Sequence, residues 1–194
     1  MKRLLWLLAL VIAGAGSWFL LSDRGGEGPY PGMGGGFTLQ SVQGPVSLSD
    51  FRGKVVLIYF GYTSCPDICP TSLGALSAAL KQLSPQEIER IQPIFISVDP
   101  ERDTPQKMVE YVHYFHPRMI GLTGSLEQLK EIAGRYGAYF RKAEVEGSTL
   151  GYAVDHSSVI YIVNEQGVLV DMIHHSGSPK VILEHIRKAL QGAS

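Results

Sequence analysis

The sequence predicts an α/β domain, a central mixed sheet flanked by helices, carried behind one N-terminal transmembrane helix. Three observations predict it. The strand-like run Val55 to Phe60, a helical stretch and the β-rich run Ile91 to Val98 follow one another, the order of a parallel strand-helix-strand unit. Ser158 to Val163 and Val168 to Ile173, joined across Asn164-Glu165-Gln166-Gly167, read as a hairpin. Lys2 and Arg3 precede Leu4 to Leu21, 18 residues without a charge. As a helix that run is about 27 Å long, close to the thickness of a bilayer core.

The positive flank keeps the N-terminus cytoplasmic and sends the domain to the extracytoplasmic face, periplasmic or outer. Ala13-Gly14-Ala15 offers the competing reading, a cleaved signal peptide. Cleavage there would leave Trp18-Phe19-Leu20-Leu21 bare at a new terminus, whereas an uncleaved anchor uses them to finish the span. Residues 1–22 are therefore read as the anchor. Asp23 to Gly36 has seven Gly and two Pro among 14 residues, the composition of a linker reaching about 20 Å as a flexible coil. Residues 37–194 are enough for one domain with a sizeable core, and 45% of the chain is hydrophobic. Two of the 17 basic residues precede the apolar run, leaving 15 against 18 acidic ones, a net charge of −3 on the exported part. That balance excludes nucleic acid as a partner.

Within the domain, Phe37 to Val42 and Val46 to Leu48, split by Gly44-Pro45, read as a first hairpin. Pro70 suits the first position of a helix, which makes Cys69 its N-cap and runs it to about Leu83. Ser84-Pro85-Gln86-Glu87 has the capping-box pattern of a short helix. Thr104-Pro105 opens a helix to about Phe115, Ser125 one to about Tyr136, and Ser178-Pro179 a closing helix. The carboxyl ends of the two parallel strands then open on one edge of the sheet, where sites of open α/β folds lie. An antiparallel strand starting at Ser158 would bring Asp155 and His156 to that same edge.

Cys65 and Cys69 are the only cysteines, and they stand directly behind the strand ending at Phe60. A disulfide across so short a loop stabilises by only about 2 kcal/mol, so the pair is badly placed as a staple. A helix N-terminus favours thiolate over thiol, and two soft sulfurs there can hold one metal ion or oxidise to each other. In an oxidising compartment the thiols need an upstream reductant.

Three segments in order, Gly61-Tyr62-Thr63-Ser64-Cys65-Pro66-Asp67-Ile68-Cys69-Pro70, then Ser97-Val98-Asp99-Pro100-Glu101-Arg102-Asp103-Thr104, then Val154-Asp155-His156-Ser157, resemble the SCO/SenC family of membrane-anchored copper proteins of cytochrome c oxidase assembly. The resemblance covers about residues 37 to 190. It implies a thioredoxin-like fold and a mononuclear copper site whose ligands are Cys65, Cys69 and His156. It also implies an upstream copper donor and delivery to the binuclear centre of oxidase subunit II. Ser64 departs from the pattern, since many members carry His or an aromatic residue before the first Cys. The chemistry of the residues agrees: thiolates suit Cu(I), imidazole suits copper as Cu(I) or Cu(II), and three donors fall short of a closed zinc site. Spacing alone leaves zinc and iron open.

Three functions are weighed. The first is a copper metallochaperone, and the second a thiol-disulfide oxidoreductase using Cys65 and Cys69 as its redox pair. The third, a thiol peroxidase, rests only on the layout of Phe37 to Phe60. An imidazole favours the first, since no proline lies between Gly151 and Val163, where thioredoxins carry a cis-proline. Around this core, Asp155 is a minor candidate to orient the imidazole. Asp67 and Asp99 are read either as rim carboxylates or as turn formers. His113 and His116 fit a helix end. His174 and His175 point apart if extended. His185 has no evident partner, and Met108, Met119 and Met172 are scattered.

Overall fold

The computed structural model describes residues 28–144, 151–174 and 178–192. The expected membrane helix, Leu4 to Leu21, lies outside them. Among the described residues no helix is long and apolar enough to cross a membrane.

The centre is a five-stranded sheet. β3 (Val55–Gly61) and β4 (Ile91–Ser97) are buried along their whole length, as their near-continuous apolar sequences require of strands covered on both faces. They pair in parallel, and β5 (Ile120–Leu122) adds in parallel to the outer side of β4. On the other side β8 (Val159–Val163) and β9 (Leu169–His174) are antiparallel, so the order is β5-β4-β3-β8-β9 and the sheet is mixed, as expected. Helices α1 (Ile68–Leu80), α2 (Pro85–Glu89), α3 (Pro105–Phe115), α4 (Leu126–Arg135) and α5 (Pro179–Gln191) complete the layers. Ser84, Thr104, Ser125 and Ser178 each cap the helix that follows by accepting a backbone N–H.

Two hairpins stand outside this sheet. β1 (Thr38–Ser41) and β2 (Gly44–Ser47) form the first, tied by the Gln40 to Thr123 bridge. β6 (Phe140–Glu144) and β7 (Tyr152–His156) form the second, which the sequence reading did not foresee. Every position of β6 is half-buried or exposed and β7 buries only Val154, so their apolar pattern is weak.

Two differences from expectation concern boundaries. Part of the Gly/Pro-rich run packs on the domain: Gly34 donates to the Arg135 carbonyl at 2.8 Å, and Tyr136 Oη donates to Gly35 O at 2.9 Å. Helix α1 starts earlier than Pro70 suggests, with Asp67 as N-cap and Ile68, Cys69 and Pro70 as its first three residues. The first N–H groups of a helix have no intrahelical partner, so a proline in the third place sacrifices nothing. The first such bond comes from Thr71 N to Asp67 O.

Candidate metal centre

The cysteine loop begins where β3 ends and is pinned from below. Asp103, whose side chain is fully buried, accepts from Thr63 N at 2.9 Å, from the Thr63 hydroxyl, from Ser97 Oγ at 2.7 Å and from Lys107 Nζ at 3.2 Å. The carbonyl of Tyr62 accepts from Cys65 N at 3.2 Å. Cys69 lies in the first turn of α1, completely buried, with Cys65 at the surface margin. Neither cysteine is in a disulfide.

The donor from the other side of the chain is His156, the last residue of β7. Because β8 runs antiparallel to β3, its start lies at the carboxyl edge of the parallel strands, and the residues just before it reach the cysteines. His156 Nε2 is 3.2 Å from Cys69 Sγ. Its Nδ1 lies 3.2 Å from the Ser157 carbonyl, an acceptor that holds a proton on Nδ1 and leaves the Nε2 lone pair toward the sulfurs. The edges of Tyr59 and Tyr62 box the ring at 6.1 and 5.8 Å between centroids, nearly perpendicular to it. The two sulfurs and one imidazole nitrogen all lie within 4.8 Å of one another. Cys65 and His156 border an open cleft of about 400 Å³ lined also by Tyr62, Pro66, Ile68 and Val154, and Cys69 lies buried behind them.

The two thiols are unlike. The Cys69 thiol donates to Cys65 and holds Cys65 far below the ordinary thiol range, against the opposing effect of burial; the N–H groups of Asp67 and Cys69 add to the lowering. Cys69 is pushed up by that same hydrogen bond, by burial and by the negative charge of Cys65. The metal-free pair therefore keeps one proton on the inner sulfur and a thiolate at the outer one.

The remaining candidates are sorted by the structure. Asp67 is exposed, caps α1 by position and lines the cleft. Asp99 is not a rim carboxylate: it is buried, paired with Arg102, and accepts from Tyr152 Oη at 2.7 Å. Asp155 pairs with Arg141, and the Ser157 carbonyl takes the orienting role at the imidazole. His113 is exposed while His116 is buried and accepts from Arg118 N, so they do not converge. Burial lowers the pKa of His116 and keeps it neutral, so the helix-dipole reading does not apply to it. His174 is exposed at the end of β9, and His175 lies outside the described residues. His185 does have a partner, Asp171 at 2.7 Å. Ser64 accepts from Lys107 Nζ at 3.4 Å. Sequence reasoning missed Tyr59, Asp103 and Ser157, whose roles depend on contacts across the sheet; only the placement of Thr63 and Asp103 inside two recurring motifs hinted at one of them.

The donor set fits a soft or borderline transition ion. Two sulfurs and one nitrogen converge, and the side facing the cleft stays open, unlike a closed four-ligand structural site. The SCO1/SenC family model matches residues 27–191, a stretch containing all three donors. The chain belongs to the SCO1/SenC family. An SCO2-like protein of Rickettsia conorii is 35% identical over 196 residues, covering 95% of each chain. The structure of Arabidopsis thaliana ScoI with copper bound superposes with a TM-score of 0.74 at 39% identity, over 82% of this chain and 99% of that one. BsSco, described as a member of the Sco family of cytochrome c oxidase assembly proteins with a disulfide switch, superposes with a TM-score of 0.62 at 26% identity, over 80% of this chain and 92% of that one. The SCO1/SenC chain thus has the thioredoxin-like α/β fold expected, a mixed sheet with its paired thiols at the start of a helix.

Proposed function

We propose that this SCO1/SenC protein is a copper metallochaperone. It binds one copper ion as cargo through Cys65 Sγ, Cys69 Sγ and His156 Nε2 and delivers it to the binuclear copper centre of cytochrome c oxidase subunit II. The observation that carries this reading is the convergence of the three donor atoms within 4.8 Å beside an open cleft. The copper-bound relative and the oxidase-assembly role named for BsSco support it. The two thiolates suit Cu(I), and the imidazole adds the nitrogen donor that Cu(II) favours. The placement of Cys65 and His156 at the cleft wall suits ligand exchange with an incoming protein. The run Leu4 to Leu21 serves as an uncleaved anchor that keeps the domain on the extracytoplasmic face, supported by its length and its Lys2-Arg3 flank.

The contrast between the two thiols favours a second reading, a thiol-disulfide oxidoreductase that keeps the oxidase cysteines reduced. In that reaction the Cys65 thiolate attacks the partner's disulfide and forms a mixed disulfide. Cys69, once deprotonated, attacks Cys65 Sγ, leaving the protein oxidised and the partner with two thiols.

One mixture separates the two. Copper-loaded domain added to a reduced, metal-free fragment of subunit II should pass its copper on, read by mass spectrometry. Absence of transfer, together with rapid reduction of an oxidised fragment by the metal-free domain, would replace the chaperone reading by the oxidoreductase.

A further inference from the structure

The strand bearing His156 belongs to a two-stranded hairpin that, among the described residues, shares no ladder with the five-stranded sheet. The main chain fixes only its exit, since Val159 enters the five-stranded sheet three residues after His156, so side chains must hold the rest of the hairpin. One turn supplies them. Residues Asp99 to Asp103, following β4, reach the cysteine loop at one end through the Asp103 bonds to Thr63. At the other end they reach the hairpin through Asp99, Glu101 and Arg102.

We propose that Arg102 is a positioning residue that sets the His156 imidazole against the two sulfurs. Its Nη1 donates to the Tyr152 carbonyl at 2.9 Å, and its Nε to the buried Asp99 carboxylate, which also accepts the Tyr152 hydroxyl. The guanidinium lies 3.7 Å from the centroid of the Tyr152 ring, and Lys142, paired with Glu101, lies 4.5 Å from that centroid. The same guanidinium sits 5.6 Å from the Tyr62 ring, whose plane is nearly perpendicular to the imidazole. Arg102 therefore bonds to the strand that carries His156 and lies over the aromatic ring that limits the imidazole. Only a planar, forked cation can bond a carboxylate and a carbonyl while stacking on a ring; lysine offers a point charge. The consequence is selective. The dithiol stays assembled when Arg102 is removed, whereas the imidazole loses its fixed place.

The inference rests on the copper reading only for its metal readout, so the test has two arms. In the reduced, metal-free domain, the nuclear Overhauser contact between the His156 ring and the Cys69 β-protons should be present in the wild type, absent in Arg102→Ala and weakened in Arg102→Lys. With copper, Arg102→Ala should weaken Cu(II) binding about tenfold or more, the size of effect seen for outer partners of metal ligands, and leave Cu(I) within about threefold. In a His156→Ala background, Arg102→Ala should add nothing, because the two residues act as one unit. An unchanged contact in the metal-free Arg102→Ala domain, or additive losses in the double variant, overturns the proposal. Should Arg102→Ala not fold, the Arg102→Lys spectrum decides by the same contact. A wild-type domain that binds no copper sinks the chaperone reading instead, and the metal-free arm still decides on Arg102.

Discussion

Cys69 Sγ and His156 Nε2 lie 3.2 Å apart although 87 residues separate them in the chain. The contact joins the first turn of α1 to the end of β7, two elements that meet only because an antiparallel strand returns to the carboxyl edge of β3. The donor set is thus a product of sheet topology, and changes that leave all three donors in place can still disturb it.

Gly61 is the sharpest case. A Cβ at that position would stand 2.7 Å from Cys69 Sγ, 2.9 Å from the Phe95 ring and 3.0 Å from the Tyr59 ring. Those neighbours are buried and cannot withdraw, so Gly61→Ala should destabilise the domain by about 1–3 kcal/mol, as overpacked cores do. Because the displaced atom is a proposed ligand, copper affinity should fall as well. Urea unfolding and competition with a chromophoric chelator measure the two effects; wild-type affinity in the folded variant would detach Gly61 from the site.

Asp103 should matter for stability more than its distance from the donors suggests. Asp103→Ala strands the Thr63 N–H and hydroxyl and the Ser97 hydroxyl, which have a buried carboxylate as their partner. Hydrogen bonds to a charged group contribute about 1.5–3 kcal/mol each, and their losses here overlap, so a total of about 3 kcal/mol is expected. The denaturation midpoint checks this, and a loss below 1 kcal/mol would show that the network is not what holds the cysteine loop.

The unlike thiols predict a pH profile. Below its pKa near 8.5 an ordinary cysteine reacts with iodoacetamide about tenfold faster for each unit that the pH rises. Cys65, lowered by the Cys69 thiol, is thiolate throughout that window, so its alkylation should be nearly flat between pH 5 and 8. Cys69, raised and buried, should react far more slowly. Cys69→Ala removes the donor to Cys65, which restores part of the slope. Peptide mapping after timed alkylation reads all three, and a steep wild-type profile at Cys65 would contradict the thiolate assignment.

Much of this arrangement was legible in the chain, for identifiable reasons. β3 and β4 are continuous apolar runs, and the caps at Ser84, Thr104, Ser125 and Ser178 are local signals that the fold did not override. Cys65, Cys69 and His156 were legible through motif order, and the antiparallel return explains why the third belongs with the first two. The β6–β7 hairpin was not. Phe140–Glu144 carries three charged residues in five and is held by the Lys142–Glu101 ion pair to a distant turn and by Arg141–Asp155 and Lys142–Tyr152 contacts across the hairpin, none of which leaves a period in the sequence. Asp99 was left open between rim carboxylate and turn former, and what decides it is Arg102 in its own turn together with Tyr152 on β7, a contact that no local pattern announces.

Copper and a Cys65–Cys69 disulfide should exclude each other. Both sulfurs donate to a metal as thiolates, and oxidation of the metal-free pair removes two electrons and its one remaining thiol proton to make a bond whose sulfurs are poor ligands. His156 alone then remains, and one imidazole is too few donors to retain copper against a chelator. The domain oxidised with diamide should therefore carry no copper through gel filtration, and treatment with dithiothreitol followed by desalting should restore one equivalent. The contrast should vanish in Cys65→Ser, which cannot form the disulfide and should bind weakly in both conditions. Equal copper in the oxidised and reduced wild type would place the metal elsewhere in the molecule and separate the cysteine pair from copper altogether.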